Sequence, residues 1–230
     1  MPDETPNVPV QTVVTTLRII EYLHEHSECG VSEIAEALPS SKSTVHNHLQ
    51  TLRRENYVIK TDGQYGLGYR FLDFAGAIRQ RDPMFGSVQE KVRELAEETG
   101  EITQFVVDDG ETAVVMFIER GAEAAKTNIR FGQRVPIDEI VAGRVISEAR
   151  REELTGEISE SDCLVDNESF VRGLRSIAAP LSDVNGSLHG ALSVSGPAHR
   201  FRNDDHVDRL TDTLLNAINE LELDVSYSRY

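Results

Sequence analysis

Two cysteines, Cys29 and Cys163, are all that 230 residues contain, and they stand too far apart to form a CxxC pair or part of a disulfide framework. Long apolar runs are missing too. The longest clean stretches, such as Val114–Ile118, reach about five residues, whereas a membrane-spanning helix needs about 20. Met1-Pro-Asp-Glu is acidic and polar, not basic and then apolar, so no signal peptide is expected and the cytoplasm is the predicted compartment. The enzyme signatures G-x-S-x-G, P-loop, G-x-G-x-x-G and HExxH are absent. His24 and His26, two apart in a predicted helix, point to different faces and predict no metal site. Among 39 acidic residues, pairs such as Asp138-Glu139 and Asp204-Asp205 read as solvated surface. No nucleophile–base pair is found, so neither an enzyme nor a cofactor is predicted.

Lysine is scarce: four (Lys42, Lys60, Lys91, Lys126) accompany 19 arginines, and the 23 basic residues face 39 acidic ones for a formal charge of −16. An acidic, lysine-poor chain fits a salt-loving host. Taken whole, the charge argues against nucleic acid, whose binders are usually basic. Its distribution argues otherwise. Residues 1–40 carry −6 and residues 81–230 carry −13, but residues 41–70 carry +3 from Lys42, Arg53, Arg54, Lys60 and Arg70 against Glu55 and Asp62. A local basic island is more informative than the total.

What is present reads as an ordered series. Residues 1–11, with Pro2, Pro6 and Pro9, are expected to form a disordered leader. Val13, Leu17, Ile20 and Leu23 predict an amphipathic helix over 12–26, followed by Gly30. Val31 to Leu38 predicts a second helix with Ser32 as N-cap, broken at Pro39. Val45, Leu49 and Leu52 predict a third from Lys42 to Glu55. Tyr57–Thr61, the turn dipeptide Asp62-Gly63 and Gln64–Leu67 predict a β-hairpin. Helix, helix, turn, helix, hairpin is the order of a winged helix-turn-helix over 12–68. A linker helix is expected within 69–83. Residues 84–230 then predict an α/β domain with antiparallel hairpins: a helix over 88–99, a hairpin turning at Asp109-Gly110, a turn from Gly132 to Pro136, a helix over 140–148, a hairpin turning at Asn185-Gly186 and a final helix over 205–223. The fold class is therefore α+β.

With Val45 toward the core, the opposite face of the third helix carries Ser43, Asn47, Gln50 and Arg54. Asn and Gln pair with adenine in the major groove, and Arg with guanine or phosphate. Ser41, Lys42 and Thr44 stand at the helix start, where free N–H groups and hydroxyls suit phosphate, and Lys60 of the hairpin suits the neighbouring backbone. Ser193 and Ser195 alternate on one strand face, so both hydroxyls are available to one polar ligand. Backbone N–H groups near Val141–Gly143 suit a carboxylate, and Asp166 suits a ligand hydroxyl.

These residues resemble the IclR-type family of transcriptional regulators. The resemblance rests on Val31-Ser-Glu-Ile-Ala-Glu-Ala-Leu through Ser43-Thr-Val-His-Asn-His-Leu-Gln-Thr-Leu, on Tyr65-Gly-Leu-Gly, on Gly132-Gln-Arg-Val-Pro-Ile-Asp with Ala142-Gly-Arg144, on Ser176-Ile-Ala-Ala-Pro-Leu-Ser-Asp, and on Gly190-Ala-Leu-Ser-Val-Ser-Gly-Pro197. It spans about residues 12–223. It implies a DNA-binding domain joined by a helix to a GAF-like effector-binding and oligomerisation domain over 84–230, in dimers or tetramers. Binding of a small metabolite, commonly an organic acid, would change the hold on a roughly palindromic operator. Pocket positions carried over are Val141, Ala142, Asp166, Ser176, Ser193 and Ser195. Where the family commonly has Pro-Leu-His, Gly-Lys and Cys, this chain has Pro136-Ile-Asp138, Gly143-Arg144 and Ser176. The competing expectation is a ligand-sensing module whose winged helix docks a protein instead of DNA.

Overall fold

In a computed structural model, residues 8–152, 162–183 and 186–227 are described. The chain forms two compact units that part between Arg79 and Gln80.

The first unit opens with α1 (Gln11–His26), α2 (Val31–Ala37) and α3 (Lys42–Arg54), followed by β1 (Val58–Thr61), β2 (Gln64–Leu67) and α4 (Arg70–Arg79). Its core is one cluster: Ile19 and Leu23 from α1, Ile34 from α2, Val45, Leu49 and Leu52 from α3, and Val58 and Tyr65 from the hairpin. Asp62 and Gly63 both take left-handed backbone (φ 51° and 87°), which reverses the chain in two residues and suits the right-handed twist of the strands. Cys29 and Tyr65 exchange backbone hydrogen bonds of 2.9 and 2.8 Å, an antiparallel bridge that joins the segment before α2 to β2. The Ser41 hydroxyl accepts the Thr44 N–H at 3.1 Å and so caps α3. Arg70 donates to the Glu55 carbonyl (2.6 Å) and lies over the Tyr57 ring, which ties the start of α4 to the end of α3.

The second unit contains α5 (Met84–Thr99), β3 (Ile102–Asp109), β4 (Thr112–Arg120), β5 (Arg134–Pro136), α6 (Val141–Glu152), β6 (Leu164–Asn167), β7 (Leu174–Ser182), β8 (Leu188–Pro197) and α7 (Asp204–Tyr227). The strands form an antiparallel sheet in the order β5-β4-β3-β8-β7-β6. Alternation along each strand sends side chains to two separate cores. Phe105, Ile177, Leu192 and Val194 meet α5 and α7 on one face. Ile102, Val106, Ala178 and Ala191 meet α6 on the other. Glu101, 1% exposed, is held by Arg200 through Nε–Oε1 (2.8 Å) and Nη2–Oε2 (2.6 Å). A forked pair of this kind supplies the compensation that a buried carboxylate requires.

Several local expectations are corrected. α2 is capped at Gly30, whose N–H donates to the Glu33 carboxylate (2.5 Å), and Ser32 lies inside the helix. Val13 and Leu17 are exposed, and Ile19 with Leu23 makes the buried side of α1. α5 begins at Met84, four residues before the expected start, because the Asp82 carboxylate accepts the Met84 N–H (3.0 Å). Asp109 pairs with Thr112, so the loop is Gly110-Glu111 and not Asp109-Gly110. Arg134–Pro136, expected as part of a turn, forms the short edge strand β5, and β6 was not anticipated. Of the predicted Asn185-Gly186 turn, Asn185 lies outside the described residues, as do positions 1–7 of the expected leader.

Candidate functional site

In the first unit, α3 buries Val45, Leu49 and Leu52 and exposes Lys42, Ser43, Thr44, Asn47 and Arg54 together with the cap Ser41. Ser41 Oγ lies 2.8 Å from both Ser43 Oγ and Thr44 Oγ1, so the three hydroxyls form one cluster at the positive end of the helix. Gln50 is set differently from the other reading-face positions. It is half-buried, and its amide donates to the Tyr65 hydroxyl (3.1 Å), which links α3 to the wing. Lys60 is exposed with its Nζ 4.9 Å from the Tyr65 ring centre. His46 lies 3.4 Å from the Gln50 amide, and His48 Nδ1 lies 2.8 Å from Thr16 Oγ1, joining α1 to α3. Polar and cationic groups thus share an exposed helix face flanked by a hairpin, a shape that enters a major groove.

In the second unit a pocket opens between the sheet and the start of α6. Val141, Ala142, Asp166, Ser176, Ser193 and Ser195, scattered over 55 positions of the sequence, all line it. Strand register explains their convergence: Asp166 pairs with Ser176, and Ser176 with Ser195, across β6, β7 and β8. Val106, Val115, Val135 and Ile140 form an apolar wall. The open space, about 30 Å³, holds roughly two waters. A larger ligand therefore requires the lining to move.

α6 begins abruptly because Gly143 packs on the preceding 3₁₀ turn, Ile137–Glu139: a Cβ there would stand 2.0 Å from the Ile137 carbonyl oxygen. Val141 and Ala142, the first two residues of α6, line the pocket, and the first N–H groups of a helix have no partner within it. Asp166 accepts from Arg144 Nη2 and, at 2.9 Å, from the Ser169 N–H. Burial pushes its carboxyl up, but the hydrogen bonds of Ser169 and the Arg144 guanidinium outweigh this and hold it below the usual carboxylate range. Asp138 is exposed and does not line the pocket.

The sequence does not mark Gln104 as a site residue, and it marks Arg144 only as a departure from the family's Gly-Lys. Gln104 faces the pocket between Ile102 and Val106, and a polar residue at an inward position of an apolar strand was the available signal. Arg144 could be found only through its partner, because the strand that carries Asp166 was not anticipated. Among the described residues no cluster of three His, Cys, Asp or Glu side chains suits a metal ion, and no helix is long and apolar enough to cross a membrane.

A groove-reading winged helix on one unit and a small-molecule pocket in the other define a ligand-responsive DNA-binding protein. Two family models agree with that division. The IclR helix-turn-helix domain matches residues 12–62, and the bacterial transcriptional regulator IclR C-terminal domain matches 151–223. Together they account for more than half of the chain, which belongs to the IclR family of transcriptional regulators. It is similar to the Probable HTH-type transcriptional regulator ArcR of Halobacterium salinarum (25% identity, covering 93% of each chain). It is also similar to the HTH-type transcriptional regulator KdgR of Escherichia coli (24%, covering 99% of this chain and 97% of that one). The crystal structure of the Thermotoga maritima IclR shares the fold, with a TM-score of 0.75 at 20% identity over 94% of this chain and 98% of that one. These relatives are regulators, not enzymes, and the protein-docking alternative is not favoured.

Proposed function

We propose that this regulator holds a roughly palindromic operator through the exposed face of α3 and that a small organic acid, bound in the pocket under α6, alters that hold. Ser43, Asn47 and Arg54 read or touch the major groove. Ser41, Lys42 and Thr44 meet phosphate at the helix start, Lys60 meets the adjacent backbone from the wing, and Gln50 contributes from its place beside Tyr65. The acid's carboxylate is met by the N–H groups at Val141–Gly143, while Asp166, Ser176, Ser193 and Ser195 orient the rest. The observation that carries this reading is the convergence of all six pocket positions on one cavity beside a helix start.

A homodimer, or a tetramer built from dimers, fits the exposed apolar side chains Val13 and Leu17 of α1 and Leu72, Phe74 and Ile78 of α4, which solvent alone would not favour. The working boundaries are a leader over 1–11, the winged helix over 12–68, a linker over 69–83 and the effector domain over 84–230. A cytoplasmic site in a salt-loving host fits the acidic, lysine-poor composition and the likeness to a Halobacterium regulator. At molar salt, screening over about 3 Å shrinks the repulsion between the acidic effector domain and DNA.

The test is a mobility shift with the DNA upstream of the protein's own gene, at several salt concentrations. Specific retardation that survives competitor DNA is expected. A protein that binds no DNA at any salt concentration contradicts the proposal.

A further inference from the structure

Gln50 lines the same open groove as Asn47 and Arg54, but its carboxamide is already tied to the wing. The amide nitrogen donates to the Tyr65 hydroxyl at 3.1 Å and lies 3.4 Å from His46 Nε2. An amide nitrogen only donates, so the ring nitrogen of His46 accepts, and the two contacts engage both amide protons. What Gln50 has left for a partner is its oxygen, Oε1. Tyr65 is a fixed anchor for this arrangement. It is 0% exposed, and its backbone pairs with Lys60 across the hairpin and with Cys29 on the other side of β2. Lys60 Nζ also stands 4.9 Å from the centre of its ring. The hydroxyl cannot follow a rotating glutamine, so the glutamine is oriented by the hydroxyl.

We infer that Tyr65 positions Gln50 as a pure hydrogen-bond acceptor. Gln50 then reads the amino group of adenine or cytosine, rejects guanine and thymine, and does not select adenine over cytosine. The inference rests on the reading of α3 as the groove-reading helix. In the major groove adenine shows the N6 donor beside the N7 acceptor, and cytosine shows the N4 donor. Guanine and thymine show acceptors there, at N7, O6 and O4. An unconstrained glutamine takes adenine with both ends, its nitrogen on N7 and its oxygen on N6. Here the nitrogen is engaged, and a single bond runs from Oε1 to N6 or N4. Against O6 or O4 the same oxygen would lose water and find no donor, which is costly. Each half-site of the operator therefore carries one position that tolerates A and C on the same strand and excludes G and T. Tyr65, being buried, acts through Gln50 and is a positioning residue.

The test is selection of duplexes from a randomised DNA library by the full-length protein without ligand, followed by sequencing. The position read by Gln50 is the one whose preference is lost in Gln50→Ala. In the wild type, A and C are expected there within about twofold of each other, each at least about fivefold above G and T. Tyr65→Phe keeps the ring in the core and frees an amide proton. It is expected to convert that position to adenine, at least about fivefold over cytosine, with the other positions unchanged. A merely structural role for Tyr65 would weaken all positions alike. His46→Ala frees the other amide proton from an exposed site and is expected to shift the preference the same way. Thermal melts check that each variant is folded. Guanine, thymine or adenine alone at the wild-type position overturns the inference. Unchanged preference in both Tyr65→Phe and His46→Ala overturns the positioning role. If Gln50→Ala alters no position while Asn47→Ala/Arg54→Ala abolishes enrichment, the inference falls and the groove-reading face stands. If that double variant also enriches the wild-type sequences, the groove-reading face itself is contradicted.

Discussion

The two units turn the same kinds of side chain in opposite directions. On α3, Ser43, Asn47 and Arg54 face solvent because a helix with one buried stripe, Val45, Leu49 and Leu52, must leave the other exposed. In the second unit the sheet is covered on both faces, so alternation has no solvent side for Gln104, Ser193 and Ser195, and they are buried. Polar residues on a surface helix are ordinary, and their meaning comes from the wing and the local positive charge beside them. Polar residues at inward strand positions are exceptional and point to a ligand by themselves. One unit displays its chemistry to a large partner, and the other encloses it around a small one.

That division predicts damage confined to one unit. Arg200→Ala is expected to have the largest effect. It leaves the nearly inaccessible Glu101 carboxylate without its forked partner and costs the second unit about 3–5 kcal/mol, while the first unit keeps its own unfolding transition. Differential scanning calorimetry reads both units in one trace. Gly143→Ala forces a Cβ against the Ile137 carbonyl and is expected to cost the second unit about 1–3 kcal/mol and to disturb the start of α6, with operator affinity in the absence of ligand retained. Ser41→Ala acts on the other unit. Loss of the cap on the Thr44 N–H is expected to remove about 1 kcal/mol from the winged helix, measured by urea unfolding, with the second unit unchanged.

The smallest expected effect is one of pH. Asp166 has a folded-state carboxyl below its ordinary value, so its contribution is present above the ordinary carboxylate range and is lost as pH falls through the folded value. The stability of the second unit should therefore decline on acidification below that range, and Asp166→Asn should flatten the decline. An unchanged slope in the variant would assign the acid sensitivity elsewhere.

Legibility in the sequence followed the same contrast. The winged helix could be read almost residue by residue, because 3.6-residue periodicity and the Asp62-Gly63 turn are local signals. The order of the six strands could not. Pairing of β3 with β8 joins residues about 90 positions apart, and nothing local encodes that neighbour. β6 escaped notice because four residues with an exposed Val165 do not alternate convincingly, and with it went the pairing of Asp166 with Arg144. Gln50 lay on the expected face of α3, but its tie to Tyr65 depends on where the hairpin packs. Ser32 has the residue type of a cap, but the contact at the start of α2 runs from the Gly30 N–H to the Glu33 carboxylate, which residue type alone does not reveal.

The separation of labour is tested most directly by titrating fluorescently labelled upstream DNA with the wild type, with the double variant Asn47→Ala/Arg54→Ala, and with Ser193→Ala, all without ligand. Loss of two groove contacts is expected to weaken binding by at least tenfold, each such contact being worth about 1–3 kcal/mol. Ser193→Ala, confined to the pocket of the second unit, should bind as the wild type does. Unchanged binding by the double variant, or equal weakening by Ser193→Ala, would contradict the account.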